Sequence, residues 1–147
     1  MLSGVDKDPA RVLRDAGLRA TPQRLAIVRE VLGRNHPTAG EVFDAVRREF
    51  PTMGLGTVYA TLNTMNDRGL LSVLPVADAV RFDANIGPHA NLICSHCGNI
   101  VDFDECDDVL EQLRERTSAG AGFAFSAERL DLYGTCASCA ANGVARA

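Results

Sequence analysis

Cys94-Ser95-His96-Cys97 and Cys136-Ala137-Ser138-Cys139 decide how the C-terminal half of this 147-residue chain folds. Two C-x-x-C pairs far apart in sequence can hand four thiolates to one tetrahedral Zn2+ at about 2.3 Å each, and a site filled by four protein ligands is closed and structural. Each pair follows an apolar, strand-like run, Asn91 to Ile93 and Leu130 to Tyr133, and Gly98-Asn99 trails the first as a turn. That is the pattern of zinc-ribbon knuckles. The alternatives are disulfides, or redox use of one pair, which needs a helix N-terminus after a strand and a depressed thiol pKa. The fifth cysteine, Cys106, stands outside the pattern and reads as a small buried apolar residue.

No run approaches the roughly 20 apolar residues of a membrane span. The opening Met1-Leu2-Ser3-Gly4-Val5-Asp6 has no basic stretch leading into an apolar one, so no signal peptide is expected. A reducing cytoplasm follows as the expected location, where paired cysteines hold metal more often than they form disulfides. The net charge of −4 argues against nucleic acid until it is divided. Residues 1–70 hold ten Lys or Arg against eight Asp or Glu, and residues 71–147 hold five against eleven, so the halves carry +2 and −6. DNA contact confined to the first half is compatible with that split.

The first half reads as short helices. Asp8-Pro9-Ala10 starts one that ends at Gly17, and Thr21-Pro22 starts a second, with Thr21 as N-cap and Pro22 at the first helical position, that stops near Gly33. A third begins at Thr38 with Glu41 completing a capping box and runs through Val42, Phe43, Val46 and Phe50 to Pro51. A fourth spans Gly56 to Arg68. Two β-prone runs follow, Leu70 to Pro75 and Ala79 to Asp83, around a turn at Val76-Ala77-Asp78. Helix-turn-helix followed at once by a hairpin is a winged helix, whose last helix enters the major groove. Thr57, Tyr59, Thr61 and Asn63 are therefore candidates for bases or phosphates, and Arg19 and Arg24 for the DNA backbone. In the second half, Ala90 to Ser95 and Asn99 to Phe103 read as a hairpin, and Asp107 to Arg116 as a helix with Val109, Leu110 and Leu113 inward. Phe123 to Tyr133 reads as a strand.

Arg19-Ala20-Thr21-Pro22-Gln23-Arg24, Asn35-His36-Pro37-Thr38-Ala39, Gly56-Thr57-Val58-Tyr59-Ala60-Thr61-Leu62 and the two C-x-x-C pairs, in that order, closely resemble the ferric uptake regulator (Fur) family of metal-dependent repressors. The likeness covers about residues 8 to 140. It implies an α+β chain: a winged-helix DNA-binding domain over residues 1–83, a hinge at 84–90, and a small α/β dimerisation domain over 91–147 that carries the structural zinc. It implies a homodimer on a palindromic operator, and a regulator rather than an enzyme. Where many relatives carry Arg or Asn after Thr-Val-Tyr, this chain has Ala60.

The resemblance also assigns His36, Asp83, His89, Asn91 and Asp102 to a regulatory metal site, and leaves His96, inside the knuckle, as a supporting or solvent-facing residue. Imidazoles with carboxylates and an amide oxygen suit Fe2+ or Mn2+. Asp83, where iron-sensing relatives place Glu, resembles the peroxide-sensing branch, in which Fe2+ and H2O2 oxidise a ligating histidine and both metal and DNA are released. Asn91 departs from the histidine those sensors carry, and Pro88 and Ala90 stand where iron-type relatives present ligands of another site. The expected function is a metal-dependent, peroxide-responsive repressor, with an iron or manganese uptake regulator as the alternative inside the family. A thiol redox enzyme and a zinc scaffold without DNA activity are the readings outside it.

Overall fold

The computed structural model describes residues 8–76 and 79–144, so the opening Met1 to Asp6 and the turn residues Ala77 and Asp78 lie outside the described residues. The chain divides into two compact units between Ile86 and Gly87.

In the first unit, helix α1 (Pro9–Asp15) starts where the Asp8 side chain accepts the Ala10 N–H at 3.0 Å. Past its end, Gly17 takes φ +69°, a conformation that costs glycine little. Helix α2 (Pro22–Gly33) is capped by Thr21 Oγ1, which accepts the Arg24 N–H at 3.3 Å. Helix α3 (Ala39–Val46) opens on a full capping box: Glu41 N–H donates to Thr38 Oγ1 at 3.2 Å, and Thr38 N–H donates to Glu41 Oε2 at 2.7 Å. It is shorter than expected, because residues 47–49 turn the chain away and Phe50 packs from outside the helix. Helix α4 (Leu55–Asp67) follows, and Gly69 at φ +70° turns the chain toward the hairpin. Strands β1 (Ser72–Val76) and β2 (Ala79–Asp83) pair antiparallel with Ser72 opposite Asp83.

One core serves this unit: Leu13, Ile27, Val31, Val42, Leu62 and Phe82 belong to a single fully buried cluster, which draws on four helices and β2. Side chains of that size contribute roughly 1.5–3 kcal/mol each on burial. A bridge between Thr38 and Arg81 closes β2 onto the start of α3, and Phe82 N–H donates to Pro37 O at 2.9 Å. The hairpin is thereby fixed to the turn that carries His36.

The second unit holds a three-stranded sheet of order β4-β3-β5, from β3 (Ala90–Cys94), β4 (Ile100–Phe103) and β5 (Leu130–Gly134). Strand β4 runs antiparallel to β3, and β5 runs parallel to it. Helix α5 (Asp107–Ala121) connects β4 to β5, and helix α6 (Ala137–Ala141) follows β5. A parallel pair needs a crossover, and α5 supplies it.

Two expectations for this unit are corrected. Phe123 to Arg129 is not strand; only Leu130–Gly134 pairs, and Arg114 of α5 grips Glu128 of the preceding segment with two guanidinium N–H groups. Helix α5 runs five residues past Arg116 to a Gly122 cap at φ +61°, and of the three apolar residues expected inward only Leu110 is buried. Val109 and Leu113 are 62% and 55% exposed. Leu110 packs into a cluster with Ala90 and Cys106, with Leu130 against it, while Ile93 and Ile100 are buried on the sheet. Cys106 donates its thiol to Phe103 O at 3.4 Å, and burial pushes its pKa up. It sits as a small apolar residue.

Thr38→Ala is expected to lower unfolding free energy by about 0.5–2 kcal/mol in urea titrations, the usual cost of an N-cap. The Glu41 half of the box is pH-dependent. The Thr38 backbone N–H holds the Glu41 carboxyl below the ordinary 4.5, so its contribution is present above that value and is lost as pH falls through the lower folded value. Glu41→Gln is expected to remove that part of the acid sensitivity.

Candidate metal centres

Parallel pairing of β3 with β5 sets Cys94 opposite Gly134, and Ser95 N–H donates to Gly134 O at 2.8 Å. The strand end carrying the first cysteine pair therefore lies beside the chain that enters the second. A tight turn, with Gly98 N–H on Cys94 O at 2.9 Å and Gly98 at φ +70°, folds Cys97 back toward Cys94. Cys136 caps α6, and its sulfur accepts the Cys139 N–H at 3.4 Å. All four sulfurs lie within 4.8 Å of one another, and Cys97 Sγ is 3.7 Å from Cys136 Sγ. A tetrahedron of Zn–S bonds has edges of about 3.8 Å. The set fits a four-thiolate zinc.

The thiol electrostatics agree with that fit. Backbone N–H groups of Cys136, Cys97 and His96 draw the Cys94 thiol down to about 5, while hydrogen bonding to the Cys136 and Cys97 sulfurs pushes Cys139 up to about 12. One sulfur is ready to bind as an anion, and another is held as a thiol chiefly by hydrogen bonds to its neighbours' sulfurs. A dication that takes all four as thiolates displaces that proton. The second pair does follow a strand and opens a helix, as a redox pair would, but the other two sulfurs stand where a redox partner would have to approach. His96 is exposed.

A second donor group forms in the first unit. His36 takes φ +48°, unusual for a residue with a side chain, and its carbonyl is held by Arg81 Nη1 at 3.0 Å. Its Nδ1 lies 2.8 Å from Asn35 Oδ1, which only accepts, so Nδ1 carries the proton and Nε2 presents its lone pair. Nε2 is 3.6 Å from Asp83 Oδ2, and both side chains are buried. The other Asp83 oxygen accepts the Asn85 N–H at 2.8 Å. A lone pair facing a carboxylate in a buried place is stabilised by a cation held between them.

A third group forms in the second unit by strand periodicity. His89 and Asn91 are two residues apart and so point to one face. Register then places Asp102 of β4 and Asp131 of β5 on either side of Asn91. His89 Nδ1–H donates to Gly87 O at 2.8 Å, which leaves Nε2 facing Asn91 Oδ1 at 3.2 Å and Asp102 Oδ1 at 3.9 Å. Three electron-pair donors converge: an imidazole nitrogen, an amide oxygen and a carboxylate oxygen. The Asn91 oxygen faces inward because its Nδ2 donates to Asp131 Oδ1 at 3.0 Å. Asn35 and Asp131, which orient His36 and Asn91, are the residues that sequence reasoning missed. The period-two spacing of His89 and Asn91 was legible, but the β3–β5 register that brings Asp131 alongside was not.

On α4, Thr57, Tyr59 and Asn63 are exposed, Tyr59 by 44%. Thr61 is not available as expected: it is 8% exposed and lies on the helix face that carries Val58, Leu62 and Met65 into the core. Arg19 is exposed, and Arg24, partly buried, donates Nη1 to Arg19 O at 3.3 Å.

Comparison with known proteins matches residues 15–133 to the Ferric uptake regulator family model. A peroxide-responsive repressor, PerR, of Staphylococcus epidermidis is 38% identical over 135 residues, covering 89% of this chain and 87% of that protein. Among solved structures, the peroxide stress regulator of Campylobacter jejuni aligns with a TM-score of 0.73 at 28% identity, covering 88% of this chain and 97% of the other. The ferric uptake regulator of Pseudomonas aeruginosa with manganese aligns with a TM-score of 0.71 at 26% identity, covering 88% and 98%.

Cys139→Ser is expected to abolish retention of one zinc per chain through gel filtration. It is also expected to accelerate amide exchange in β5 and α6 by at least tenfold while the amides of α2 and α4 keep their protection, as read by hydrogen–deuterium exchange.

Proposed function

The chain belongs to the ferric uptake regulator family, and from that membership we propose that it is a dimeric transcriptional repressor that needs a bound Fe2+ or Mn2+ to hold its operator and releases it when peroxide oxidises the iron form. The observation that carries the reading is the pair of donor groups. His36 Nε2 faces Asp83 in the first unit, and His89 Nε2 faces Asn91 and Asp102 in the second. Each group alone offers too few donors for a first-row dication, and together they supply two nitrogens and three oxygens. That mixture suits Fe2+ or Mn2+, while the softer four-sulfur set suits Zn2+. Pro88 and Ala90 offer no donor side chain, so one regulatory cation per chain is the proposed stoichiometry.

Because His36 and Asp83 precede the 84–90 hinge, His89 lies in it, and Asn91 and Asp102 follow it, a cation that takes all five favours one interdomain arrangement, and it shifts the equilibrium by its differential affinity for that arrangement. Moving a population from 1:99 to 99:1 requires about 10⁴-fold, near 5.5 kcal/mol. The favoured arrangement presents two copies of α4 to successive half-sites of a palindrome, with Thr57, Tyr59 and Asn63 toward the groove and Arg19 and Arg24 toward the phosphates. Dimerisation through the second unit is supported by the apolar residues left outside its core: Leu92, Val101 and Leu132 on one sheet face, with Val109 and Leu113 on α5. No helix among the described residues is long and apolar enough to cross a membrane, which is in keeping with work in the cytoplasm.

Bound Fe2+ supplies the activation of H2O2. The chain's part is to hold imidazole carbons beside it, so that one peroxide oxygen ends on a ring carbon of His36 or His89 and the other leaves as water. The oxidised ring is a poorer donor, the cation is lost, and the preference for the DNA-binding arrangement goes with it. The names of the S. epidermidis and C. jejuni proteins support peroxide as the signal, and the manganese in the P. aeruginosa structure supports the metal class.

Anaerobic loading with Fe2+ or Mn2+, then peroxide, tests the proposal by gel shift on a palindromic operator with intact-mass measurement. The iron form is expected to lose DNA and gain about one oxygen atom on a peptide containing His36 or His89, and the manganese form to keep its DNA and its mass. Equal resistance of the two forms assigns the chain to metal-uptake control instead. His36→Ala and His89→Ala are each expected to weaken metal-dependent operator binding by at least tenfold. Arg24→Ala is expected to reduce the salt slope of binding by about one without changing metal affinity.

A further inference from the structure

The Asn91 amide is the least committed donor of the regulatory set: neutral, and able to present either oxygen or nitrogen by turning over about its last bond. Its direction is set from outside the site. Asn91 Nδ2 donates to Asp131 Oδ1 at 3.0 Å, and the other Asp131 oxygen is taken by Arg129 Nε at 3.0 Å. A carboxylate only accepts, so it admits the NH2 edge of the amide and rejects the carbonyl edge. Asn91 is 1% exposed, so water is not at hand to take over that role. Register makes the arrangement a row across three strands: Asp102 on β4, Asn91 on β3 and Asp131 on β5 stand side by side on one sheet face.

We propose that Asp131 is the positioning residue of the regulatory site, holding the Asn91 carbonyl oxygen toward the cation and thereby making this a site with a neutral oxygen where a nitrogen ligand would otherwise stand. This rests on the regulatory site described above. Outer partners of metal ligands typically contribute 10–100-fold to metal affinity by fixing a ligand's orientation. For a histidine the partner sets the tautomer. For an asparagine it decides whether the site receives an electron-pair donor or an N–H group that repels the cation. Arg129 contributes by neutralising Asp131, so that the carboxylate stays an acceptor for Asn91 rather than turning into the site as a further ligand.

The test is a double-mutant cycle on Mn2+ affinity in the full-length, zinc-loaded protein, read by electron paramagnetic resonance of free Mn2+. Zinc content and thermal melting serve as folding controls. Asp131→Ala is expected to weaken Mn2+ binding 10–100-fold in the wild-type background and by less than about twofold in Asn91→Ala, because nothing is left for it to orient. An equal loss in both backgrounds, or no loss in the wild type, overturns the proposal. If the alanine variant fails the folding controls, Asp131→Asn runs the same cycle. Asn91 and Arg129 sit on different oxygens of Asp131, and the asparagine offers an oxygen at only one of those two places, so a loss of at least threefold that depends on Asn91 is expected, and its absence is equally fatal. His89→Ala, measured alongside, separates the two levels. Unchanged Mn2+ affinity there overturns the regulatory site itself, whereas a loss there without one in the Asp131 variants overturns only the positioning role.

Discussion

Four sulfur atoms within 4.8 Å cannot all be anionic unless positive charge stands among them, and much of the second unit depends on meeting that condition. Its apolar cluster is small, and its parallel strand pair joins segments some 40 residues apart. Zinc across the ends of β3 and β5 holds that pair in register. The same register, three residues further back along each strand, puts Asp131 beside Asn91. A structural ion would thus fix the partner of the proposed regulatory ligand Asn91 without touching it. The zinc site and the proposed regulatory site are separate in chemistry and connected through a strand.

That separation is also how one chain handles two kinds of cation. Thiolates are soft and closed around their ion, and the regulatory donors are nitrogen and oxygen. The first unit contributes its share through a strained backbone: His36 is held at φ +48° by the Arg81 side chain and by the closure of β2 onto the start of α3. The hairpin, the start of α3 and the His36 imidazole are one mechanical piece. Under the proposed ligand set, a cation on His36 would bear directly on the helix-turn-helix framework, with no long chain of intermediaries.

Much of the fold was legible because its punctuation is local. Asp8, Thr21 and Thr38 announce helix starts through short side-chain caps, Gly17 and Gly69 announce the stops, and the cysteine spacing announces the zinc. The readings that missed depend on partners distant in sequence. Phe50 looked helical by periodicity, but the chain turns at residues 47–49. Val109 and Leu113 looked buried because apolar spacing reports a face and not what covers it. Thr61 looked like a DNA contact because threonine is polar, yet its place on α4 follows Val58 and Leu62 into the core. The site residues came from motif likeness, and the geometry added the two that orient them, Asn35 and Asp131.

The parallel joining of β3 and β5 has a kinetic consequence. In the helical unit most element contacts join neighbours in sequence, α1 with α2, α2 with α3, α3 with α4 and β1 with β2, and longer ones such as Arg68 to Ala16 and Thr38 to Arg81 add to that frame, whereas β5 forms none of its strand hydrogen bonds until the crossover closes. Cys94 and Cys97, already near each other on their own turn, can capture an ion first and hold it with two valences open, which turns the search for Cys136 and Cys139 into a tethered encounter. A cell short of zinc would then accumulate chains with a finished reader and an unfinished assembly module, and the supply of one metal would set how much sensor exists for another.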